Sequence, residues 1–378
     1  MSETLPAIRV PLAEVELGDP EIEAVVAVLR SRWLTAGPTV ERFEAALAAL
    51  AGVPHAVAVS NCTAALHLAY LALGVGPGDE VLVPTLSFVA SANMACACGA
   101  RPVFVDCLGE DDFNIDPTDL ERRITPRTKA ICVVHYGGYP CRIDEVLALA
   151  ARHALPIVED CAHAPGGTFR GRPLGSFGEI GCQSFFGNKN ITTGEGGACL
   201  TRSDELAGRL RLLRSHGMTT MTWDRHRGHA STYDVALAGL NYRLDELRAA
   251  IGLCQLERLA DHNARRGRAV RRYRRVLAER LPQIRIPFAA AEESTFHIFP
   301  VLLPAGTDRP GVIARMRAAG VQTSVHYPPT HTFTAYRGSS PALPRAEALA
   351  PRILTLPLYP RLGDEDIGFV VDSLRAAL

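Results

Sequence analysis

Seven short runs of apolar, often β-branched residues punctuate the first two-thirds of the chain: HAVAVS, EVLVPT, RPVFVD, KAICVVH, LPIVED, IGCQSFF and GACLT. Their apolar positions are nearly continuous, which marks strands covered on both faces, and most of the longer segments between them carry helical patterns. NCTAALHLAYLALGVGPGD is a helical partner of this kind, apolar for about three turns and ended by the glycines from Gly74 to Gly78. The alternation predicts an α/β fold, a large domain with a mostly parallel central sheet covered by helices. Near residue 250 the pattern changes to a long Arg/Ala/Leu helix over 243–281, then short strands and more helices. A large domain over 1–250 and a smaller C-terminal α/β domain over 251–378 are expected.

Length agrees, because 378 residues exceed what one small core serves, and 47% apolar content can fill two. Lys plus Arg and Asp plus Glu stand at 40 each, so no net field attracts nucleic acid or an acidic membrane. The cluster RRYRRV at 271–276 reads as a solvated helix face. Ten scattered cysteines without a C-x-x-C pair fit reduced thiols in a cytoplasmic protein, with neither a disulfide frame nor a metal site. The opening MSETLPAIRVPLAEVELGDPEIE carries acids and prolines where an export signal needs basic then apolar residues. The uncharged run 81–100 is interrupted by Pro84, Thr85, Ser87, Ser91 and Asn93, and reads as a buried strand and helix instead of a membrane span.

In open α/β sheets chemistry collects at the carboxyl ends of the strands, so the residues that follow each apolar run matter most. After HAVAV come Ser60, Asn61, Cys62, Thr63 and Ala64, opening a helix whose free N–H groups can bind phosphate; taken alone, Ser60 or Asn61 reads first as an N-cap. After EVLVPT comes Phe88, able to stack on a planar ring or simply to pack in the core. After LPIV come Glu159, Asp160 and, three residues beyond Asp160, His163; acids ending a buried strand need a partner, although Asp160 could serve as a helix cap. Lys189 follows within SFFGNKNITTGEGG. A lysine for a Schiff base, an acid for a pyridine nitrogen, a phosphate cradle and a stacking aromatic are together the parts that pyridoxal phosphate requires.

The chain also resembles the DegT/StrS-type sugar aminotransferases, a branch of the fold-type I pyridoxal phosphate enzymes, nearly from end to end. The matching stretches, in order, are SRWLTAGPTVERFE, SNCTAALHLA, GPGDEVLVPTLSFVASAN, VEDCAHAPGG, SFFGNKNITTGEGG, RSHGM, GLNYRLDELRAAIGLCQL, VHYPPTH and ILTLPLYP. The resemblance implies that Lys189 forms the Schiff base, Asp160 pairs with the ring nitrogen and Phe88 stacks on the ring. It places His163 beside the cofactor's phenolic oxygen or ring, and Thr63, Ala64 and Ser184 at the phosphate. It implies that Asn241 reaches the phosphate of a neighbouring subunit, hence a homodimer with shared active sites, and that Trp33, Thr35, His326 and Tyr327 line a sugar pocket. Cys62 stands where many relatives have glycine, a mild departure because backbone N–H groups bind the phosphate either way.

The function implied is amino transfer from glutamate or glutamine to a keto sugar, first of all a nucleotide-linked 3- or 4-keto-6-deoxyhexose. A cyclitol ketone and a non-catalytic pyridoxal-binding regulator are the alternatives. Family members that dehydrate carry histidine where this chain has Lys189. A nicotinamide dehydrogenase would need G-x-G-x-x-G after the first strand, and GVGPGD at 74–79 follows a helix and lacks the third glycine.

Overall fold

The computed structural model describes residues 7–220, 223, 228, 232–289, 291, 293–338 and 341–378. All seven apolar runs are strands of one sheet. In chain order they are β1 (His55–Val59), β2 (Glu80–Pro84), β3 (Arg101–Val105), β4 (Thr128–Val134), β5 (Ile157–Asp160), β6 (Ile180–Ser184) and β7 (Gly197–Thr201). They lie in the order β1-β7-β6-β5-β4-β2-β3. Six run parallel, and β7 alone is antiparallel to both of its neighbours. The reason is local. No helix separates β6 from β7, so the chain turns back through residues 185–196, and this reversal carries Lys189.

Alternate residues of each strand enter opposite cores, as a pleated strand requires. Val57, Val83, Phe104, Cys132, Val158 and Cys182 face one side; Ala58, Ala198 and Leu200, with Leu82, Ile131 and Ile157, face the other. The first side packs against helix Cys62–Ala72, which is why that helix is apolar almost all round.

The long helix expected over 243–281 spans Glu246–Arg280, capped by the Asp245 side chain, which accepts from Arg248 N at 2.9 Å. Its buried positions recur every three or four residues through Gln255, Leu259, His262, Arg266, Ala269, Tyr273 and Leu277. The expected boundary after residue 250 lies in the second turn of this continuous helix. Beyond it, β8 (Phe299–Leu302) and β9 (Ile353–Leu356) form an antiparallel pair with helices Arg309–Ala318 and Asp364–Ala377 in the same region of the chain. Residues from the start of the chain join here as well: Val10 and Gln322 pair through the backbone, and Leu358 N donates to the carbonyl of Leu12. Among the described residues, no helix is long and apolar enough to cross a membrane.

Candidate active site

A cavity of about 310 Å³ lies at the carboxyl ends of the strands. It collects Thr63, Phe88, Asp160, His163, Ser184, Lys189, His326 and Tyr327 from five separate stretches of sequence.

At one end is the start of helix Cys62–Ala72. Asn61, in extended backbone, caps it by accepting from Ala64 N at 2.8 Å. Ala64 therefore gives its N–H to the cap, and the other early donors, on Cys62 and Thr63, lack carbonyl partners in their own helix. Both of those residues line the cavity, as does Ser184 at the end of β6. Gly197 makes the approach of this helix to β7 possible, since a Cβ there would sit 2.5 Å from the carbonyl carbon of Asn61. A glycine chosen by so distant a contact had no sequence signal beyond its place in the GEGG run.

The paired acids of β5 point apart. Glu159 is fully buried and satisfied: it accepts from the N–H groups of Gly175, Phe177 and Gly178 at 2.7–3.0 Å and lies 3.1 Å from His135 Nε2. These bonds hold its pKa below the ordinary carboxyl value against the opposing effect of burial. Cys161 comes near enough to His135 and Glu159 to form a conceivable metal trio, but both carboxylate oxygens are already engaged. Asp160 faces the cavity instead. Its oxygens accept from Ser91 Oγ and from Ala162 N, each at 3.0 Å. Burial raises its pKa, while those two donors and Lys189 act the other way. Ser91 is a functional contact that sequence reasoning missed, having read it only as a polar break in an uncharged run.

Lys189 is half-buried, and loss of hydration brings its amine down from 10.5 to about 8, with Asp160 opposing the shift. The loop that carries it is tied at both ends, by Lys189 N to Phe186 O and by Thr193 N to Phe185 O, both 2.9 Å. Asn190 anchors it laterally. Its Nδ2 donates to Asn263 Oδ1 and to the Thr295 carbonyl, each at 2.7 Å, and its Oδ1 lies 3.0 Å from His297 Nδ1. None of these partners was legible, because they stand 73 to 107 residues away in sequence.

His163 Nε2 is 2.8 Å from the phenolic oxygen of Tyr327. His326 Nδ1 lies 3.0 Å from Thr355 Oγ1, and burial together with Lys189 lowers its pKa to about 4, so it is neutral at physiological pH. Phe88 is exposed on the cavity wall, its ring 6.3 Å from that of Tyr327.

Trp33, Thr35 and Asn241 do not join this cavity within one chain. Trp33 packs 4.6 Å from Trp223 in a separate hollow, and Thr35 is exposed. Asn241 is exposed and bridges Ser215 through the backbone. The stretch holding Trp33 and Thr35 is secured by Glu246, whose carboxylate accepts from the N–H groups of Gly37, Thr39 and Val40 at 2.8–3.0 Å.

These residues fit pyridoxal phosphate on their own chemistry. First-turn N–H groups suit a phosphate, a buried carboxylate with both oxygens oriented suits a protonated ring nitrogen, and an amine brought to about 8 suits an aldehyde. Fold and site define a fold-type I pyridoxal-phosphate-dependent aminotransferase. Residues 15–375 match the profile of the DegT/DnrJ/EryC1/StrS aminotransferase family, and the chain belongs to it. It is 40% identical, over 95% of its length and 94% of the relative's, to the spore coat polysaccharide biosynthesis protein SpsC of Bacillus subtilis strain 168. Among solved structures, it superposes on PseC of Helicobacter pylori, an aminotransferase of pseudoaminic acid biosynthesis, with a TM-score of 0.90 and 30% identity over 97% of this chain and 98% of the other. The pyridoxal-phosphate form of the putative sugar aminotransferase Spr1654 of Streptococcus pneumoniae gives the same values.

Proposed function

We propose that the enzyme moves an amino group from glutamate or glutamine to a keto sugar, most specifically a nucleotide-linked 3- or 4-keto-6-deoxyhexose, as a cytoplasmic homodimer whose active sites are shared. The observation that carries the sugar reading is the lining beyond Lys189 and Asp160. There the cavity offers neutral imidazoles, hydroxyls, amides and the carboxyl group of Glu195, and Lys189 is the only Lys or Arg among its described lining residues. Such a surface reads sugar hydroxyls and a carbonyl, and leaves a diphosphate to the mouth. The similarity to SpsC and PseC supports amino-sugar chemistry.

Pyridoxal phosphate, when bound, supplies an aldehyde for the amino group and a ring that accepts the electron pair left by a broken Cα–H bond. The protein's share is positioning and proton movement. The N–H groups of Cys62 and Thr63, with Ser184, hold the phosphate. Asp160 keeps the ring nitrogen protonated, its own orientation set by Ser91 and Ala162. Lys189 Nζ, with a pKa of about 8, exchanges protons readily near neutrality and takes up and returns the substrate proton. His326, which lines the cavity and turns Nδ1 to Thr355, is assigned to the substrate's oxygen through Nε2.

The test loads the enzyme in its pyridoxamine form and offers nucleotide-linked keto-hexoses and inososes side by side, following return of the pyridoxal absorbance. Return with the keto-hexose nucleotides is expected, and His326→Ala should slow it more than it slows the glutamate half-reaction. Return with inososes alone would sink the nucleotide-sugar reading.

A further inference from the structure

Two backbone groups decide where protons sit in a column of rings beside Lys189. The Thr295 carbonyl can only accept, so the Asn190 atom 2.7 Å from it is the amide nitrogen. Asn190 Oδ1 therefore faces His297, whose Nδ1, 3.0 Å away, must carry the proton. On the neighbouring ring the N–H of Gly137 points at His163 Nδ1 from 3.3 Å. That nitrogen accepts, so the neutral ring bears its proton on Nε2.

His163 is held in this state. It is 2% exposed, its ring stacks 4.6 Å from His297, and its carbonyl accepts from Thr295 Oγ1 at 2.6 Å. Thr295 comes this close because residue 138 is glycine at φ +90°, where a Cβ would stand 2.1 Å from Thr295 Oγ1. Burial, with Lys189 and His326 nearby, keeps the His163 pKa well below its ordinary value.

The consequence falls on Tyr327. Its oxygen, 2.8 Å from His163 Nε2, receives that proton as an acceptor, so its own O–H must point elsewhere. Tyr327 lines the cavity, and burial, helped by Asp160, raises its pKa, so the phenol stays protonated. With Lys189 as the only described cation in the lining, the Tyr327 O–H joins the first-turn N–H groups and Ser184 as a neutral donor able to meet an anionic oxygen in the cavity.

We propose that Tyr327 is a hydrogen-bond donor of fixed polarity to the ionised ring oxygen of bound pyridoxal phosphate, and that His163 is a positioning residue that acts through Tyr327. The proposal deepens the function given above and rests on it. With the cofactor bound, Lys189 would react at the carbon next to that oxygen, and a donor to the oxygen would weaken its hold on a proton at the Lys189 nitrogen. Tyr327 thereby tunes the pH at which the bound chromophore titrates.

The experiment is an absorbance titration of the holoenzyme and four variants, in all of which Asp160, Lys189, His297 and His326 are unchanged. Tyr327→Phe should raise the midpoint by roughly one pH unit, the scale of a charge-assisted hydrogen bond. His163→Leu should raise it less, and the double variant no further than Tyr327→Phe alone. His163→Gln, whose amide can accept from Gly137 and donate to Tyr327, should keep the wild-type midpoint. An unmoved midpoint in Tyr327→Phe, or additive shifts in the double variant, overturns the proposal and gives His163 a direct contact. A wild-type protein that binds pyridoxal phosphate with no visible band overturns the assignment of the site itself.

Discussion

Ser91 Oγ donates to Asp160 Oδ2 at 3.0 Å, reaching from helix Ala90–Ala97 to the end of β5. Burial alone would favour the neutral carboxylic acid, and this bond is one of the few forces keeping the carboxylate ionised. Ser91→Ala is expected to push the Asp160 pKa higher and weaken its hold on the ring nitrogen. A bond to a charged group contributes about 1.5–3 kcal/mol, so pyridoxal phosphate should bind roughly tenfold or more weakly. Equilibrium dialysis of the variant against the cofactor checks this; an unchanged affinity would show that Ser91 does not support the carboxylate.

Lys189 should report its own surroundings. With its pKa lowered to about 8, the amine is free of its proton above that pH, where an unperturbed lysine stays charged to about 10.5. In cofactor-free protein, the rate at which pyridoxal phosphate becomes trappable by borohydride on Lys189 is expected to rise with pH to a midpoint near 8. Asp160 opposes the lowering, so Asp160→Asn should move the midpoint down. Peptide mapping that places the reduced cofactor on another lysine would remove Lys189 from its role.

The seven strands were legible because each is apolar at nearly every position, and the signature of burial on both faces does not depend on its neighbours. The same feature exposed much of the site: Asp160 and Phe88 stand out because polar or aromatic residues follow apolar runs. Legibility failed where a residue's role is set by a distant partner. Asn190 looks like any loop asparagine until Thr295 and His297 lie beside it, and Glu246 reads as a first-turn acid of its own helix. The pairing of Val10 with the segment around Val321 joins positions over 300 residues apart and leaves no local trace.

Glu246 offers a stability test free of the chemistry. One buried carboxylate satisfies three N–H groups at the start of helix Pro38–Ala51. Removing it strands those donors, and an unsatisfied buried group costs about 1–3 kcal/mol. Glu246→Ala should therefore lose about 2–4 kcal/mol, and Glu246→Gln, which keeps one acceptor oxygen, about half of that. Urea unfolding of the two variants measures both losses. Equal stability in all three proteins would mean that water replaces the carboxylate.

Asn241 tests whether active sites are shared. Within one chain it lies outside the cavity that holds Lys189, on an exposed segment paired with the edge of the central sheet at β1. If it completes the site of a second copy, Lys189→Ala and Asn241→Ala damage different halves of each composite site. A heterodimer of the two variants then has one site with both lesions and one with neither. Random exchange at equal concentrations makes half of the dimers mixed, so about one quarter of all sites should be intact, against none in the Lys189→Ala parent. Activity of the mixture should rise with exchange toward that fraction, above the average of the two parents. If mass spectrometry confirms exchange and activity stays at the parental average, Asn241 serves its own subunit and each site is complete within one chain.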